Sequence, residues 1–455
     1  MSKRNLKLLI ALIIIVLVVV LSVFFLGNKP KEGVPGETGG GDNFFADLLN
    51  FGNSKSPKGD DSDTPSDISG YIPPEEQIME KMKLVKISSM PIAGYAVFNQ
   101  ERFVDVAPPV KTEPVEGDEL PATVTLARPT APEVERIPIL RYVAKENGNI
   151  FQTFIDTINE RKFSNTLVPG VQEAFFGDNG ETVIMRYLKN NNTDIATWVG
   201  VLPKEVLGSD SDFLKKITGS FLTDNITYMS ISPATKRMFY LFNSGTGAIG
   251  ISSTATGENK SQIYNGAYTE WLSEWPNDAL VTLTTKPASG IPGYMYAINP
   301  AEKDFKKVLG NIPGLTTLTS PNTETVLYSN DRLSVSLYDT NKMETRDISL
   351  RTLAEKCVWN TSSEFIYCAV PKSINSSYAY PDSWYQGEVS FSDNIWKINV
   401  LNGTTEMVID PTIVPADSDR GVEAIDATKL SLSSDNKYLF FVNKNDSYLW
   451  GLELY

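Results

Sequence analysis

The sequence predicts an all-β fold, a seven-bladed β-propeller that is preceded by one transmembrane helix and a disordered stalk. Three observations predict it. From about residue 80 onward, short β-rich runs separated by Asn, Gly, Asp and Ser clusters replace helical periodicity. These runs recur in pairs at a nearly regular spacing. A single long apolar run stands near the N-terminus.

The repeat shows most clearly in the spacing of the paired runs. The first run of each pair often follows a polar turn, as residues 433–436 precede the apolar residues 438–441. The second run opens at or contains one marker residue in each of seven copies: Ile150, Ile195, Ile249, Tyr294, Leu333, Ile395 and Leu449. Successive markers differ by 45, 54, 45, 39, 62 and 54 residues. A repeat of roughly 40–50 residues is typical of four-stranded propeller blades, so we expect seven blades, with six or eight as alternatives.

Closure of the ring predicts a clasp between the two ends of the domain. A lone four-stranded blade exposes two apolar faces, and stacking blades in a closed ring buries both. The last predicted strand, residues 448–452, is followed only by residues 453–455. The final blade therefore lacks an outer strand. We therefore expect residues 82–90 to supply that strand.

The apolar run near the N-terminus covers residues 8–26 and contains one polar residue, Ser22. At about 1.5 Å per residue it nearly spans a hydrocarbon core of about 30 Å. Lys3, Arg4 and Lys7 precede it, which predicts a cytoplasmic N-terminus. A cleaved signal peptide is the alternative, but the run exceeds the roughly 7–15 apolar residues of such peptides and no small-residue cleavage motif follows. We interpret the run as an uncleaved signal anchor.

The chain is therefore predicted to contain a cytoplasmic tail (1–7), a transmembrane helix (8–26), a flexible stalk (27–78) and an extracytoplasmic propeller (80–455). The stalk is rich in Gly, Pro, Ser, Asp and Lys, and it cannot bury enough apolar surface to order itself. Within it, the apolar residues 44–51 are either a surface helix or docking segment, or a transient hydrophobic cluster.

Charge and histidine content exclude several functions. The formal net charge is −14, with 41 Lys and Arg against 55 Asp and Glu, and this balance disfavours nucleic-acid binding. The absence of histidine removes Ser-His-Asp and Cys-His catalysis and most transition-metal sites. We expect no cofactor, no metal site and no catalytic residue. A general acid or base would have to be a carboxylate, Lys or Tyr.

The two cysteines, Cys357 and Cys368, flank the turn residues 360–363. We expect them on the two arms of one hairpin, near cross-strand register. In an oxidising compartment they would form a disulfide that adds roughly 3 kcal/mol of stability. Two buried free thiols are the alternative.

The last repeat carries a resemblance to a known family. Residues 433–441, with the pattern Ser-Ser-Asp-x-x-Tyr-Leu-Phe-Phe, and residues 447–452, with the pattern Ser-Tyr-Leu-Trp-x-Leu, resemble the WD40-like repeats of TolB-type bacterial propellers. The resemblance covers roughly residues 85–455, although no intact Ser-Pro-Asp turn occurs. It implies the propeller fold and an extracytoplasmic, protein-binding role, and it implies no chemistry.

The long aromatic loop in the enlarged repeat is the candidate binding surface. It holds five aromatic residues and two carboxylates: Tyr378, Tyr380, Asp382, Trp384, Tyr385, Glu388 and Phe391. They could bind a protein partner or stack on sugar rings. Alternatively, they could form a satellite core that holds the loop down.

Two further segments are candidates. The Pro-rich insertion 99–136 is predicted as an extended strap that packs on the surface or docks a partner. The acidic segment 410–419 contributes to a possible glycosidase-type carboxylate pair. The candidates for that pair are Asp382, Glu388, Asp393 and Asp410, with ordinary surface acids as the alternative.

The sequence thus predicts a non-catalytic, membrane-tethered propeller that acts as a protein- or glycan-binding scaffold in the cell envelope. One alternative is a carboxylate-based glycoside hydrolase or polysaccharide lyase. The other is a structural accessory subunit of an envelope complex, with contacts through residues 8–26 and 44–51.

Overall fold

A computed structural model describes six segments of the chain: residues 84–103, 134–165, 167–189, 193–204, 217–412 and 424–454. The predicted tail, membrane span and stalk lie outside the described residues, as does most of the acidic segment 410–419. Among the described segments, no helix has the length and apolar character needed to cross a bilayer.

The described residues form seven four-stranded sheets, which confirms the prediction of an all-β propeller with seven blades. Strand β1 is Leu84–Lys86. Blade 1 contains β2 (Ile92–Phe103), β3 (Val134–Ala144), β4 (Ile150–Phe154) and β5 (Arg161–Lys162). Blade 2 contains β6 (Val171–Gly177), β7 (Thr182–Leu188), β8 (Ile195–Val201) and β9 (Thr218–Phe221). Blade 3 contains β10 (Ile226–Ile231), β11 (Arg237–Asn243), β12 (Ala248–Thr254) and β13 (Ser261–Gly266).

The remaining blades follow the same pattern. Blade 4 contains β14 (Trp271–Asn277), β15 (Leu280–Thr285), β16 (Pro292–Ile298) and β17 (Phe305–Pro313). Blade 5 contains β18 (Thr316–Thr319), β19 (Thr325–Ser329), β20 (Ser334–Asp339) and β21 (Glu344–Arg351). Blade 6 contains β22 (Cys357–Trp359), β23 (Phe365–Pro371), β24 (Asp393–Asn399) and β25 (Thr405–Ile409). Blade 7 contains β26 (Ala427–Leu432), β27 (Tyr438–Asn443) and β28 (Leu449–Glu453), together with β1.

Each blade is an antiparallel sheet in which its first strand stands at one edge. First strands of neighbouring blades contact one another, β2 with β6 and β10 with β14, which places them around the hub. In such a meander, the connections from second to third strand and from fourth to first strand lie at the same end. We call that end of the propeller the loop face.

The paired runs of the sequence are the second and third strands of the blades. Both strands lie inside a sheet that neighbouring blades cover on each side, so their side chains are buried on both faces. In β7, for example, the consecutive residues Val183, Ile184 and Met185 are all fully buried. These strands therefore appear in the sequence as short continuous apolar runs, without alternation of apolar and polar residues.

The ring closes through the expected clasp. Strand β1 pairs antiparallel with β28, with Leu84 opposite Leu452 and Lys86 opposite Trp450. The amide of Ile87 continues the pairing by donating to the Leu449 carbonyl at 2.8 Å. This confirms that residues 82–90 contain the outer strand of the last blade.

The cysteines occupy the predicted hairpin. Cys357 on β22 stands directly opposite Cys368 on β23, and their sulfurs are bonded. Both residues are buried in a core cluster that includes Ile366 and Ile398. The disulfide therefore joins the first and second strands of blade 6.

The insertion 99–136 differs from the expected strap at both of its described ends. Strands β2 and β3 continue as a long ribbon, with Asn99 opposite Pro138 and Phe103 opposite Val134. Arg102 anchors the ribbon through ion pairs of 2.6 Å to Glu135 and to Asp156. Cross-strand pairing satisfies the backbone here, which an isolated extended strap could not do. Residues 104–133 lie outside the described residues.

Candidate functional site at the hub

The long loop between β23 and β24, residues 372–392, crosses the loop face at the hub. It contains a short helix, α1 (Asp382–Tyr385). Asp382 accepts a hydrogen bond from the Ser289 amide of blade 4 at 2.5 Å. Trp384 donates its indole N–H to Asp426, which precedes blade 7, at 2.9 Å. The loop, which we call the blade-6 loop, therefore joins blades 4 and 7 across blade 6.

A buried ion cluster fastens the blade-6 loop. Lys356 is fully buried and lies 2.9 Å from Asp393 Oδ2, and it also pairs with Asp426. The second oxygen of Asp426 accepts hydrogen bonds from Trp384 and, at 3.0 Å, from the Phe391 amide. The Asp426 carboxylate thus binds both Lys356 and the blade-6 loop.

Of the predicted binding surface, only part faces solvent. Tyr380, Trp384 and Phe391 are 4%, 5% and 3% exposed, and they pack with residues of the blade 5 connections. Tyr378 and Tyr385 are 37% and 38% exposed, and Glu388 is also exposed. The three buried rings form the satellite core that was the alternative interpretation. The exposed edge of the loop consists of Tyr378, Tyr385 and Glu388.

The four predicted carboxylates are not brought together as a catalytic pair. Asp393 is buried against Lys356, whereas Asp410 pairs with Lys372 near the surface. Asp382 binds a backbone amide, and Glu388 is exposed. Within the described residues, no ion pair or hydrogen bond joins any two of these four.

Burial dominates the titration of Asp393. The pKa of this carboxyl is raised to about 6, chiefly by burial and in part by the charge of Asp426, while Lys356 opposes both effects. The Oδ1 atom of Asp393 is buried without a hydrogen-bond partner. A neutral Asp393 would therefore leave Lys356 paired with Asp426 alone.

A second group of carboxylates, which sequence reasoning missed, lies in the hub. The group consists of Glu173 on β6, Glu274 on β14 and Glu355 in the turn before β22, and the charge of each acts on the phenol of Tyr228 on β10. Burial raises the pKa of Tyr228 far above its ordinary value, and the charges of Glu355, Glu173 and Glu274 add to this effect. Tyr228 therefore remains a neutral phenol.

Glu274 is the most perturbed of these acids. Burial raises its pKa to about 7, the Thr319 amide donates to it at 3.0 Å and lowers the pKa, and the charge of Glu355 raises it. The hydroxyls of Thr319 and Thr282 also lie beside this carboxylate and lower its pKa. Both threonines are more than nine-tenths buried.

Glu355 stands at the mouth of the hub on the loop face. The hydroxyl of Tyr385 on the blade-6 loop donates a hydrogen bond to it. Burial raises the pKa of Glu355, whereas Tyr385, Lys356 and Lys444 lower it. The predicted loop and the unpredicted hub acids thus meet at the Tyr385–Glu355 contact.

The hub also contains a cavity of about 390 Å³ between blades 7, 1, 2 and 3. Its lining includes Tyr95, Glu173, Arg186, Tyr228 and Lys429. Arg186 pairs with Glu173 and also donates to the Ile226 carbonyl. Lys429 donates to the Ala93 carbonyl at 3.1 Å, and burial lowers its pKa.

The sequence gives a weak signal for the hub residues. Glu274 stands in the strand Trp271–Asn277, whose residues alternate between buried and partly buried, and it lies on the less buried face between Trp271 and Trp275. A carboxylate on an inner strand of a blade is a residue type that can mark a functional site. Its neighbours in the hub come from four separate parts of the sequence, however, and only ring closure brings them together.

The polar groups of the hub are carboxylate and hydroxyl oxygens together with the cationic side chains of Arg186 and Lys429. Across the described ranges, no three His, Cys, Asp or Glu residues converge closely enough to hold a metal ion. The hub can instead donate and accept hydrogen bonds and neutralise a positive charge.

Comparison with known proteins assigns no family to the chain. No protein-family model and no curated protein matches the chain. Among solved structures, an oligogalacturonate lyase in complex with manganese is 11% identical with a TM-score of 0.44, over 70% of this chain and 85% of that one. An oligogalacturonate lyase from Vibrio parahaemolyticus is 8% identical with a TM-score of 0.42, over 69% and 85%. The tricorn protease is 11% identical with a TM-score of 0.33, over 67% and 27%.

The propeller fold of this chain rests on its own seven four-stranded sheets. At such identities a shared fold carries no inference about chemistry. The narrower TolB-type assignment stays a prediction.

Proposed function

We propose that the chain is a non-catalytic scaffold of the cell envelope, tethered to the membrane by residues 8–26, whose propeller binds a protein partner through its loop face. The observation that carries this proposal is the blade-6 loop. It is fastened by buried contacts to blades 4 and 7 and presents Tyr378, Tyr385 and Glu388 to solvent. A rigidly held loop with exposed tyrosines is a preorganised binding surface.

A protein partner is favoured over a glycan for a physical reason. Glycan binding needs exposed ring faces on which sugars can stack. Three of the five aromatic residues of the loop are buried, so only the partly exposed Tyr378 and Tyr385 could offer a ring face to a sugar. Such amphipathic side chains, beside a carboxylate, suit a mixed polar and apolar protein surface.

Site-specific crosslinking in intact cells tests the proposal. A photo-crosslinking residue at Tyr378 should capture one protein, and the same residue at Met343 should not, because Met343 lies 77% exposed in a connection on the opposite face. Equal capture at both positions, or none at Tyr378, would reject the loop face as the binding surface. Protease protection of the propeller in intact spheroplasts would reject the extracytoplasmic location.

One observation favours an enzyme as a second candidate, namely a glycoside hydrolase or polysaccharide lyase. The raised pKa of Glu274, about 7, is suited to a general acid or base, and Glu355 is a second carboxylate nearby. A screen of polysaccharides in which turnover is found and then abolished by Glu274→Gln would establish this candidate in place of the scaffold. The candidates Asp382, Glu388, Asp393 and Asp410 would not be expected to matter in such a screen.

The accessory-subunit candidate depends on residues 8–26 and 44–51, which lie outside the described residues. Deletion of residues 42–52 is its test. Co-purification of envelope partners that survives this deletion would count against it.

A further inference from the structure

A fully buried lysine lies between two fully buried aspartates where blade 6 meets blade 7. The side chains of Lys356, Asp393 and Asp426 have no exposed surface. Lys356 Nζ lies 2.9 Å from Oδ2 of Asp393 and also contacts Oδ1 of Asp426. The ring centroids of Trp384 and Phe391 lie 5.1 and 5.3 Å from the same nitrogen. An amine is therefore held against two carboxyl groups, away from bulk water.

The two oxygens of Asp426 have different surroundings. Oδ1 contacts the lysine, whereas Oδ2 accepts hydrogen bonds from the Trp384 indole N–H at 2.9 Å and from the Phe391 amide at 3.0 Å. Two N–H donors on one carbonyl oxygen stabilise the negative charge that develops there when a nucleophile adds to the carbon. The carboxyl carbon of Asp426 is therefore activated towards the adjacent lysine nitrogen.

Asp393 is placed to carry protons. Its Oδ2 contacts Lys356 Nζ, and its Oδ1 is buried without a hydrogen-bond partner among the described residues. Chiefly because of burial, the pKa of Asp393 is raised to about 6, so this carboxyl can both take up and release a proton near neutral pH. A buried carboxylate oxygen without a partner is uncommon in proteins and is not needed in a cluster that only neutralises a lysine.

We propose that Lys356 and Asp426 condense to an amide, which links blade 6 covalently to blade 7. Nζ of Lys356 bonds to Cγ of Asp426, and the bond between Cγ and Oδ1 breaks. Two of the three ammonium protons leave with Oδ1 as one water molecule, and the third stays on the amide nitrogen. Asp393 carries the departing protons and ends in its starting protonation state. The contact between amine and acid supplies the proximity that the reaction needs.

The condensation relieves an electrostatic cost. Before the reaction the cluster holds one cation and two carboxylates out of contact with water, and desolvated charges are costly even when they are paired. Amide formation removes the charges of Lys356 and Asp426 together. Oδ2 of Asp426, now an amide oxygen, keeps both of its hydrogen-bond donors. This inference does not depend on the proposed function.

Peptide mapping of the full-length chain tests the amide link. Trypsin does not cleave after an acylated lysine, because the side chain has lost its charge. Digestion of the reduced protein should therefore give residues 352–372 joined to residues 421–429, with the mass of one water missing from their sum.

The ion pair between Lys372 and Asp410 is the matched control. These side chains are also in contact, but both are partly exposed to water. Trypsin should cleave after Lys372, and no link to Asp410 should form. A link at this pair as well would show that contact alone suffices, and it would reject the buried site as the cause.

Two variants test the roles of the aspartates. Asp426→Asn should give the same linked peptide with the same mass, because its amide forms with loss of ammonia in place of water. Asp393→Asn keeps the side-chain volume but cannot carry the protons. It should lower the linked fraction at least tenfold, while tryptophan fluorescence in urea shows a folded protein. If Asp393→Asn does not fold, the peptide map of the wild type decides alone.

The other outcomes overturn the proposal. Cleavage after Lys356, with residues 421–429 recovered as a free peptide, would reject the amide. A link to residues 373–397 would reject Asp426 as the reacting acid. Equal linkage in the wild type and in a folded Asp393→Asn variant would reject Asp393 as the proton carrier.

Discussion

The indole N–H of Trp384 donates a 2.9 Å hydrogen bond to Oδ2 of Asp426, while Oδ1 of the same carboxylate accepts from the buried ammonium of Lys356. Asp426 thereby connects the blade-6 loop to the connection that begins blade 7. The arrangement of the loop face depends on this cluster, because the helix α1 is too short to be stable alone. The predictions below begin with its stability.

Replacement of Lys356 by methionine should destabilise the propeller strongly. The change leaves Asp393 and Asp426 buried without their cation, and breaking a buried ion pair in this way costs about 3–5 kcal/mol. Urea unfolding followed by tryptophan fluorescence measures it. Lys342→Met is the matched control, because Lys342 pairs with Asp339 at an exposed position. Equal stability of the two variants would show that the buried cluster does not hold the loop.

The pH dependence of stability should reflect two carboxyls with raised pKa values, Asp393 and Glu274. Burial raises the pKa of Asp393 to about 6 and that of Glu274 to about 7, above their values in the unfolded chain. The native state therefore binds protons more tightly than the unfolded state, and stability falls as pH rises between about 4 and 7. We expect a lower urea midpoint at pH 8 than at pH 5.

Glu274→Gln should remove part of this dependence. Glutamine can still accept from the Thr319 amide, but it carries no buried charge. We expect a gain of about 1–3 kcal/mol at pH 8 and little change at pH 5, since one pKa unit corresponds to about 1.4 kcal/mol. Glu388→Gln removes the same formal charge from the surface and should leave both midpoints near the wild type. A parallel shift in the two variants would assign the effect to net charge.

Reduction of the disulfide should weaken the propeller without unfolding blade 6 completely. Cys357 and Cys368 close a short loop between paired strands, and such a crosslink contributes roughly 3 kcal/mol. The urea midpoint should fall in the presence of reductant. The double variant Cys357→Ser and Cys368→Ser should resemble the reduced protein and should not respond to reductant. Two reactive thiols in the denatured, unreduced protein would contradict the pairing.

Removal of the clasp should expose blade 7. A chain that begins at residue 91 lacks β1, so the edge of β28 loses its partner. Amide hydrogen exchange around Trp450 and Leu452 should become at least tenfold faster than in a chain that begins at residue 80. Unchanged exchange at these amides would mean that β1 contributes little to closure.

The sequence predicts the strands that are buried on both faces, but it does not predict strands with solvated faces. The apolar runs at residues 183–185 and 438–441 are second strands, and their positions set the blade number. The outer strand β9, Thr218–Phe221, is exposed at all four residues and carries no periodic signal. Alternation cannot identify a strand whose two faces are both solvated.

The site was predicted only in part for a related reason. The blade-6 loop was identified because its length and aromatic content are local properties of the sequence. Glu173, Tyr228 and Glu355 become neighbours only when the ring closes, and each alone resembles an ordinary half-buried residue. Which loop aromatics would pack and which would face solvent also depends on partners in blades 5 and 7.

The pairing of Leu84 with Leu452 has a consequence for biosynthesis. Because translation proceeds from the N-terminus, β1 emerges from the ribosome before any of the strands with which it shares a sheet. It therefore has no sheet partner while blades 1 to 6 are synthesised. The final sheet forms only after β28 has been synthesised. A nascent chain stalled anywhere before residue 449 would therefore carry an open ring and an unsatisfied strand edge, which makes it a substrate for chaperones or proteases.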